Sequence, residues 1–143
     1  MKKRGIAILL VLFFAVTSVQ LGMNRVNANN HKDTKFNFYF HNYFDHTEGR
    51  KKTDDSSSYM KCTELRDNAS YSAYVYGSNE TTGNFAEDVS HGYHYLFKRG
   101  TKYYMRNWVY EENLKYAVIY ANQSIPFPTF TKGFWSPDSV PER

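Results

Sequence analysis

The sequence predicts an all-β fold, a small antiparallel β-sandwich of about six strands, and three observations carry that prediction. Short runs alternate apolar or ring-bearing residues with polar ones, most clearly "FNFYF" (36–40) and "SYSAYVYGS" (70–78), and a period of two places successive side chains on opposite faces of a strand. Turn chemistry such as "GSNETTG" (77–83) separates the runs. The apolar content is rings and β-branched residues, the set that favours strands, whereas leucine after residue 28 is confined to Leu65, Leu96 and Leu114.

The first 28 residues stand apart. Lys2, Lys3 and Arg4 precede an unbroken apolar run from Ile6 to Val16, and Val26 and Ala28 supply small residues at the −3 and −1 positions of a signal peptidase site. That run is too short for a spanning helix, which needs roughly 20 apolar residues. The expectation is a cleaved secretory signal over 1–28, a secreted extracellular product and no stable membrane insertion. Cys62, the sole cysteine, lies far from the cleavage site, so it cannot carry a lipid anchor there. Nor can a single cysteine close an internal disulfide.

Removing the leader changes the charge balance. The whole chain carries +4, but Lys2, Lys3, Arg4 and Arg25 belong to the leader, which leaves fourteen basic against fourteen acidic residues. Nucleic-acid binding needs a concentrated basic face. The neutral balance suggests none, and no nucleic-acid partner is expected.

Along the remaining chain, 29–35 ("NNHKDTK") reads as a flexible polar segment, and 36–143 as one β-sandwich domain with an extended tail from about 122. Phe36, Phe38 and Phe40 form one face of the first strand. Residues 41–57, rich in charge, read as a long mobile connection. "SYMKCTEL" (58–65) is a second strand and 70–78 a third, with Tyr71, Ala73 and Val75 sharing a face. "YHYLFK" (93–98) is a fourth, followed by a tight turn at Arg99-Gly100, where glycine supplies the positive φ that such turns need. Residues 101–110 and 115–121 read as a closing hairpin bent at Glu112-Asn113. A two- or four-residue bend sets Trp108 against Ala117, and a three-residue bend sets it against Val118, so the register stays open. The tail holds all four prolines and is extended, with Phe127, Phe130, Phe134 and Trp135 laid onto a sheet.

Both faces of that hairpin carry rings, so one face is core and the other calls for a cover: the tail, a second subunit or a ligand. Most tyrosines on strands are half-buried with the hydroxyl at the surface. The rings with a binding role in prospect are Tyr104, Trp108 and Trp135, since tyrosine and tryptophan join an apolar body to a polar tip.

Catalytic and metal chemistry find little support. His91 and His94 are three apart in a turn-to-strand context, and His41 and His46 lie among the acids of a polar loop, without the closely specified spacing of a zinc site. Cys62 has no neighbour that would activate a thiolate. Glu111 and Glu112 are consecutive at a bend and diverge, whereas glycoside hydrolysis needs carboxylates facing each other at about 5–9.5 Å. No GxSxG, HExxH or phosphate-binding glycine loop occurs. The expectation is a protein with no catalytic residue, metal or cofactor. Sequons at Asn68, Asn79 and Asn122 are coincidences of a Ser/Thr/Asn-rich surface if the chain is bacterial, as its leader suggests.

Taken together, "FNFYF", "SSSYMKC", "SYSAYVYGS", "HGYHY", "RNWVYEEN" with the following "AVIYA", and "GFWSPDS" resemble a small exported Gram-positive family of unknown function. The overall layout is similar to that of the lactococcin-type β-sandwich bacteriocins. That likeness implies a compact sandwich acting at cell envelopes, with a homodimer among its forms; it carries over no functional residue. The functional expectation is a secreted, non-catalytic, bacteriocin-like protein binding a cell-wall or envelope component through its rings. A self-associating matrix protein is the alternative, and an envelope hydrolase ranks third.

Overall fold

The structure, a computed structural model, describes residues 29–66, 68–123 and 129–140. The leader expected at 1–28, and Phe127 of the tail, lie outside the described residues. The described residues contain ten strands and no helix: β1 (Thr34–Tyr39), β2 (Phe44–His46), β3 (Arg50–Lys51), β4 (Ser58–Leu65), β5 (Tyr71–Ser78), β6 (Glu87–Asp88), β7 (Tyr95–Phe97), β8 (Lys102–Met105), β9 (Tyr116–Asn122) and β10 (Phe130–Ser136). They form two antiparallel sheets, ordered β1-β10-β4-β8 and β2-β9-β5-β6. In the second, β3 also pairs with β9 and β7 with β5.

The core lies between the sheets and is built by alternation. From the first sheet come Phe36, Phe38, Met60, Cys62, Met105 and Trp135; from the second come Tyr71, Ala73, Val75, Ala117, Ile119 and Ala121, all buried. Rings interlock around Tyr71, with Phe40 and Phe97 at 5.4 Å and Phe38 edge-on at 6.4 Å, offset and edge geometries that aromatic quadrupoles favour. The alternation in β4 slips by one after Cys62. Gly133 of β10 faces Cys62 while Lys132 faces Glu64, so Thr63 is the extra residue of a β-bulge. The slip turns Leu65, rather than Glu64, into the core. Gly133 is required there, because a Cβ would come within 1.8 Å of the Lys61 carbonyl oxygen.

Several expectations need correction. The tail is not laid over a sheet: Phe130–Ser136 is an inner strand, hydrogen-bonded to β1 on one side and β4 on the other. Pro137 lies just beyond the end of the strand, where a missing N–H costs no ladder bond. The expected hairpin does not form. β8 joins β4 in the first sheet, whereas β9 lies between β5 and the β2–β3 edge in the second, so neither proposed register occurs. Residues 107–114 between them form a single tight helical turn. Glu112 N–H donates to Trp108 O, Asn113 N–H to Tyr110 O and Leu114 N–H to Val109 O, with Asn113 at φ 59°. This is the left-handed cap that ends helical turns. The connection 41–57 contains β2 and β3, both paired with β9. Residues 29–33 are tied down at Asn29 and Asn30, and Thr34 and Lys35 already belong to β1. The Arg99-Gly100 turn is present with Gly100 at φ 84°, but it passes the chain from one sheet to the other.

Candidate functional site

The three rings singled out from the sequence occupy three different places. Trp135 is 2% exposed. Its carbonyl accepts a 3.0 Å hydrogen bond from Arg50 Nη1, whose guanidinium carbon lies 5.4 Å from the indole centroid. Burial lowers the Arg50 pKa, opposed by Asp33 and Asp138. Trp135 therefore packs the core and cannot stack on an external ligand. Trp108, half-buried on the 107–114 turn, lies parallel to the His91 ring at 4.1 Å, and His91 Nε2 is 2.7 Å from Glu112 Oε1. One indole face is thus already occupied. Tyr104, on the outer face of β8, pairs with Tyr59 at 5.4 Å and is 37% exposed.

On the outer face of the second sheet, rings stack on one another. His94 lies 4.1 Å from Tyr74, Tyr74 is 5.5 Å from Tyr76, Tyr76 is 4.1 Å from Tyr120 and Tyr120 is 5.0 Å from His46. Two of their polar tips are partnered within the protein: Tyr120 Oη donates to Gly83 O, and Asn122 Nδ2 donates to Tyr74 Oη. Burial raises the pKa of both Tyr74 and Tyr76, reinforced at Tyr74 by Asp88 and at Tyr76 by Tyr74 and Asp88. This ladder satisfies itself. Four of the five histidines, His41, His46, His91 and His94, are spent on such ring stacks.

The outer face of the first sheet is different. Register places Lys35, Phe134, Lys61 and Lys102 in one row across all four strands. The next row along holds Asn37 and Lys132, and beyond it Tyr39 faces Phe130. On the opposite flank Tyr59 faces Tyr104. All four lysines are exposed, and so are Tyr39 (55%), Phe130 (39%) and Phe134 (36%). Glu64 is the carboxylate among these rows, 3.7 Å from Lys132 Nζ, and the same ammonium lies 5.6 Å from the Phe130 centroid. A groove of about 600 Å³ runs over the bulge, between Lys35, Asn37, Thr63, Lys132 and Phe134. One strand supplies each lysine, at the position next to its core residues. The even balance of fourteen basic and fourteen acidic residues over 29–143 therefore conceals a basic face. The signal was in the phase of the lysines and not in their number.

One polar cluster lies inside the protein. Lys52 Nζ is 2.7 Å from Asp138 Oδ1, with side chains 1% and 0% exposed. Asp138 also accepts from the backbone N–H of Asn30 and Thr53 and from Thr53 Oγ1, while Lys52 donates to Ser56 O. Asp54, at the rim, is pushed up by burial. Hydrogen bonds from Ser56, the Lys52 charge and Asn29 outweigh that push and hold its carboxyl below the usual range. Enclosed on all sides, the Lys52–Asp138 pair can reach no substrate. It pins the start of the domain and the β3–β4 connection to the segment after β10, and it gives "GFWSPDS" a structural reason: Gly133 for the bulge, Trp135 for the core, Ser136 donating to Asp138 O, and Asp138 for the pin.

Among the described residues, no group of three or more His, Cys, Asp or Glu side chains is placed to hold a metal ion. No curated protein and no solved structure matches the chain. Residues 24–139 match a family described as a protein of unknown function (DUF2712), and with most of its length inside that match the chain belongs to this family.

Proposed function

We propose that this is an exported, non-catalytic protein that binds a component of the bacterial envelope through the outer face of its first sheet, in the manner of a bacteriocin-like factor of a Gram-positive organism. The observation that carries the reading is the exposed face itself, where Tyr39, Tyr104, Phe130 and Phe134 are interleaved with Lys35, Lys61, Lys102 and Lys132. Exposed apolar surface rimmed by polar groups marks interaction sites. Of the three rings expected from the sequence, Tyr104 alone lies on this face. Self-association through the same surface is disfavoured, because a second copy would set lysine rows against lysine rows, and like charges across an interface are costly.

The test is binding of the purified protein to isolated envelopes, comparing wild type with Tyr104→Ser/Phe134→Ser and with Trp108→Ala. The first variant is expected to lose most binding with an unchanged melting temperature, and Trp108→Ala to bind as wild type. Undiminished binding by Tyr104→Ser/Phe134→Ser would remove the assignment.

A further inference from the structure

The make-up of this face selects among envelope components. We infer that its partner is the anionic phospholipid surface of a bilayer, on which the sheet lies flat without spanning; this rests on the reading that the face is the binding surface. The row Lys35–Phe134–Lys61–Lys102 runs perpendicular to the strands. With strands about 4.8 Å apart, its cations and ring form a comb at short, regular intervals. Each class of partner uses a different part of that comb. A neutral glycan engages rings and gains nothing from four lysines. A soluble phosphate polymer engages lysines and gains nothing from Phe130 and Phe134, both more than a third exposed. A lipid interface uses both, since phosphates meet the ammonium heads while rings and lysine stems settle among headgroups.

Among the described residues, no carboxylate forms an ion pair with Lys35 or Lys61. Glu64 is paired with Lys132. Asp33 lies at the flank beside Tyr59 and Tyr104, with His31. Single-stranded nucleic acid is the closest chemical competitor, because bases also stack on rings above a basic surface. The leader read from the sequence sends the chain away from nucleic acid and toward lipid. Adsorption of this kind gains about fivefold in partitioning for each lysine near the surface and fades within a Debye length.

The experiment is co-sedimentation with vesicles of phosphatidylglycerol and phosphatidylcholine, against vesicles of phosphatidylcholine alone, over a range of salt. The full chain and a chain beginning at Asn29 are run side by side, so that the leader's own affinity is measured and subtracted. The wild type is expected to bind the anionic vesicles at least about tenfold more tightly and to release with salt. Lys35→Glu/Lys61→Glu is expected to weaken that binding by more than about tenfold. Phe130→Ser/Phe134→Ser should weaken it with the salt dependence retained. Thermal melts confirm that each variant is folded, and a variant that melts early is replaced by Lys35→Gln/Lys61→Gln. Equal binding to both vesicle types, or an unaffected lysine variant, overturns the inference. Tighter binding to an oligonucleotide or to soluble polyphosphate, or lysine-dependent binding to envelopes without any to vesicles, overturns the lipid assignment and leaves the face as the binding surface. Lysine variants that bind vesicles and envelopes as wild type does sink both readings.

Discussion

Replacing Asp138 by asparagine keeps the shape of the side chain and removes its charge. The carboxylate accepts from Lys52 Nζ at 2.7 Å, from Asn30 N–H at 2.8 Å and from Thr53 N–H at 3.1 Å. An amide has one acceptor oxygen, so its NH₂ must confront either the Lys52 ammonium or the backbone donors. The lysine head is walled in and cannot turn to water. Removing one partner of a buried ion pair typically costs about 3–5 kcal/mol, a large part of the roughly 5–15 kcal/mol that holds a domain together. At roughly 4 °C per kcal/mol for a domain of this size, the melting temperature should fall by about 12–20 °C. The assay is denaturant unfolding of wild type, Asp138→Asn, Lys52→Met and the double variant as a cycle. Because an apolar pair of similar volume is often as stable as a buried ion pair, the double variant should recover at least half of the loss. A cost below about 1 kcal/mol for Asp138→Asn, or a double variant no more stable than that single one, would refute the reasoning.

Two further outcomes follow from the tyrosines. The Tyr71 hydroxyl is buried beside Cys62 and Thr131 without a well-formed hydrogen bond to either, and an unsatisfied buried donor costs about 1–3 kcal/mol. Tyr71→Phe should therefore match or exceed the wild type in denaturant midpoint, and a loss above about 1 kcal/mol would contradict it. The same phenol has its pKa raised by burial, with Cys62 adding to the effect, so the folded protein keeps a proton that the unfolded chain releases above roughly pH 10. Stability should be intact below that pH and fall as pH rises past it, by up to about 1.4 kcal/mol per unit for Tyr71. Tyr74 and Tyr76 shift the same way and, being more exposed, add less. Phenolate absorbance of Tyr71 should appear together with loss of the circular dichroism signal, and its appearance in folded protein would count against the account.

Alternation made the core strands legible. Phe36, Phe38 and Phe40, and Tyr71, Ala73 and Val75, are buried as their spacing predicts, because a half-buried strand has no other way to present one side to the core. The failures share a cause in distance along the chain. β10 was obscured by flanking prolines and is legible only once β1 and β4 stand on either side of it. β8 and β9 looked like partners because neighbouring strands usually are, but the capped turn at 107–114 redirects the chain into the other sheet. Short β2 and β3 carry charge and borrow their order from β9. Of the three candidate rings, Tyr104 lies on the exposed outer face, though the hairpin expected to carry it does not form. Trp135 was not legible as core, because its burial depends on the inner position of β10. The lysine row was invisible to a sum over the chain, since register alone brings its members together.

The place of β10 has a further consequence for the order of events. β1 begins at Thr34 and finds its partner only at Trp135, and β1 and β4 meet only through that late-made ribbon. The β4–β8 pair can form earlier, but β1 cannot join the first sheet until Phe130–Ser136 has been made, and such long loop closures are slow. Until that ribbon arrives, the phenylalanine side of β1 has no neighbour to hold it in register, and the sheet locks in one late step.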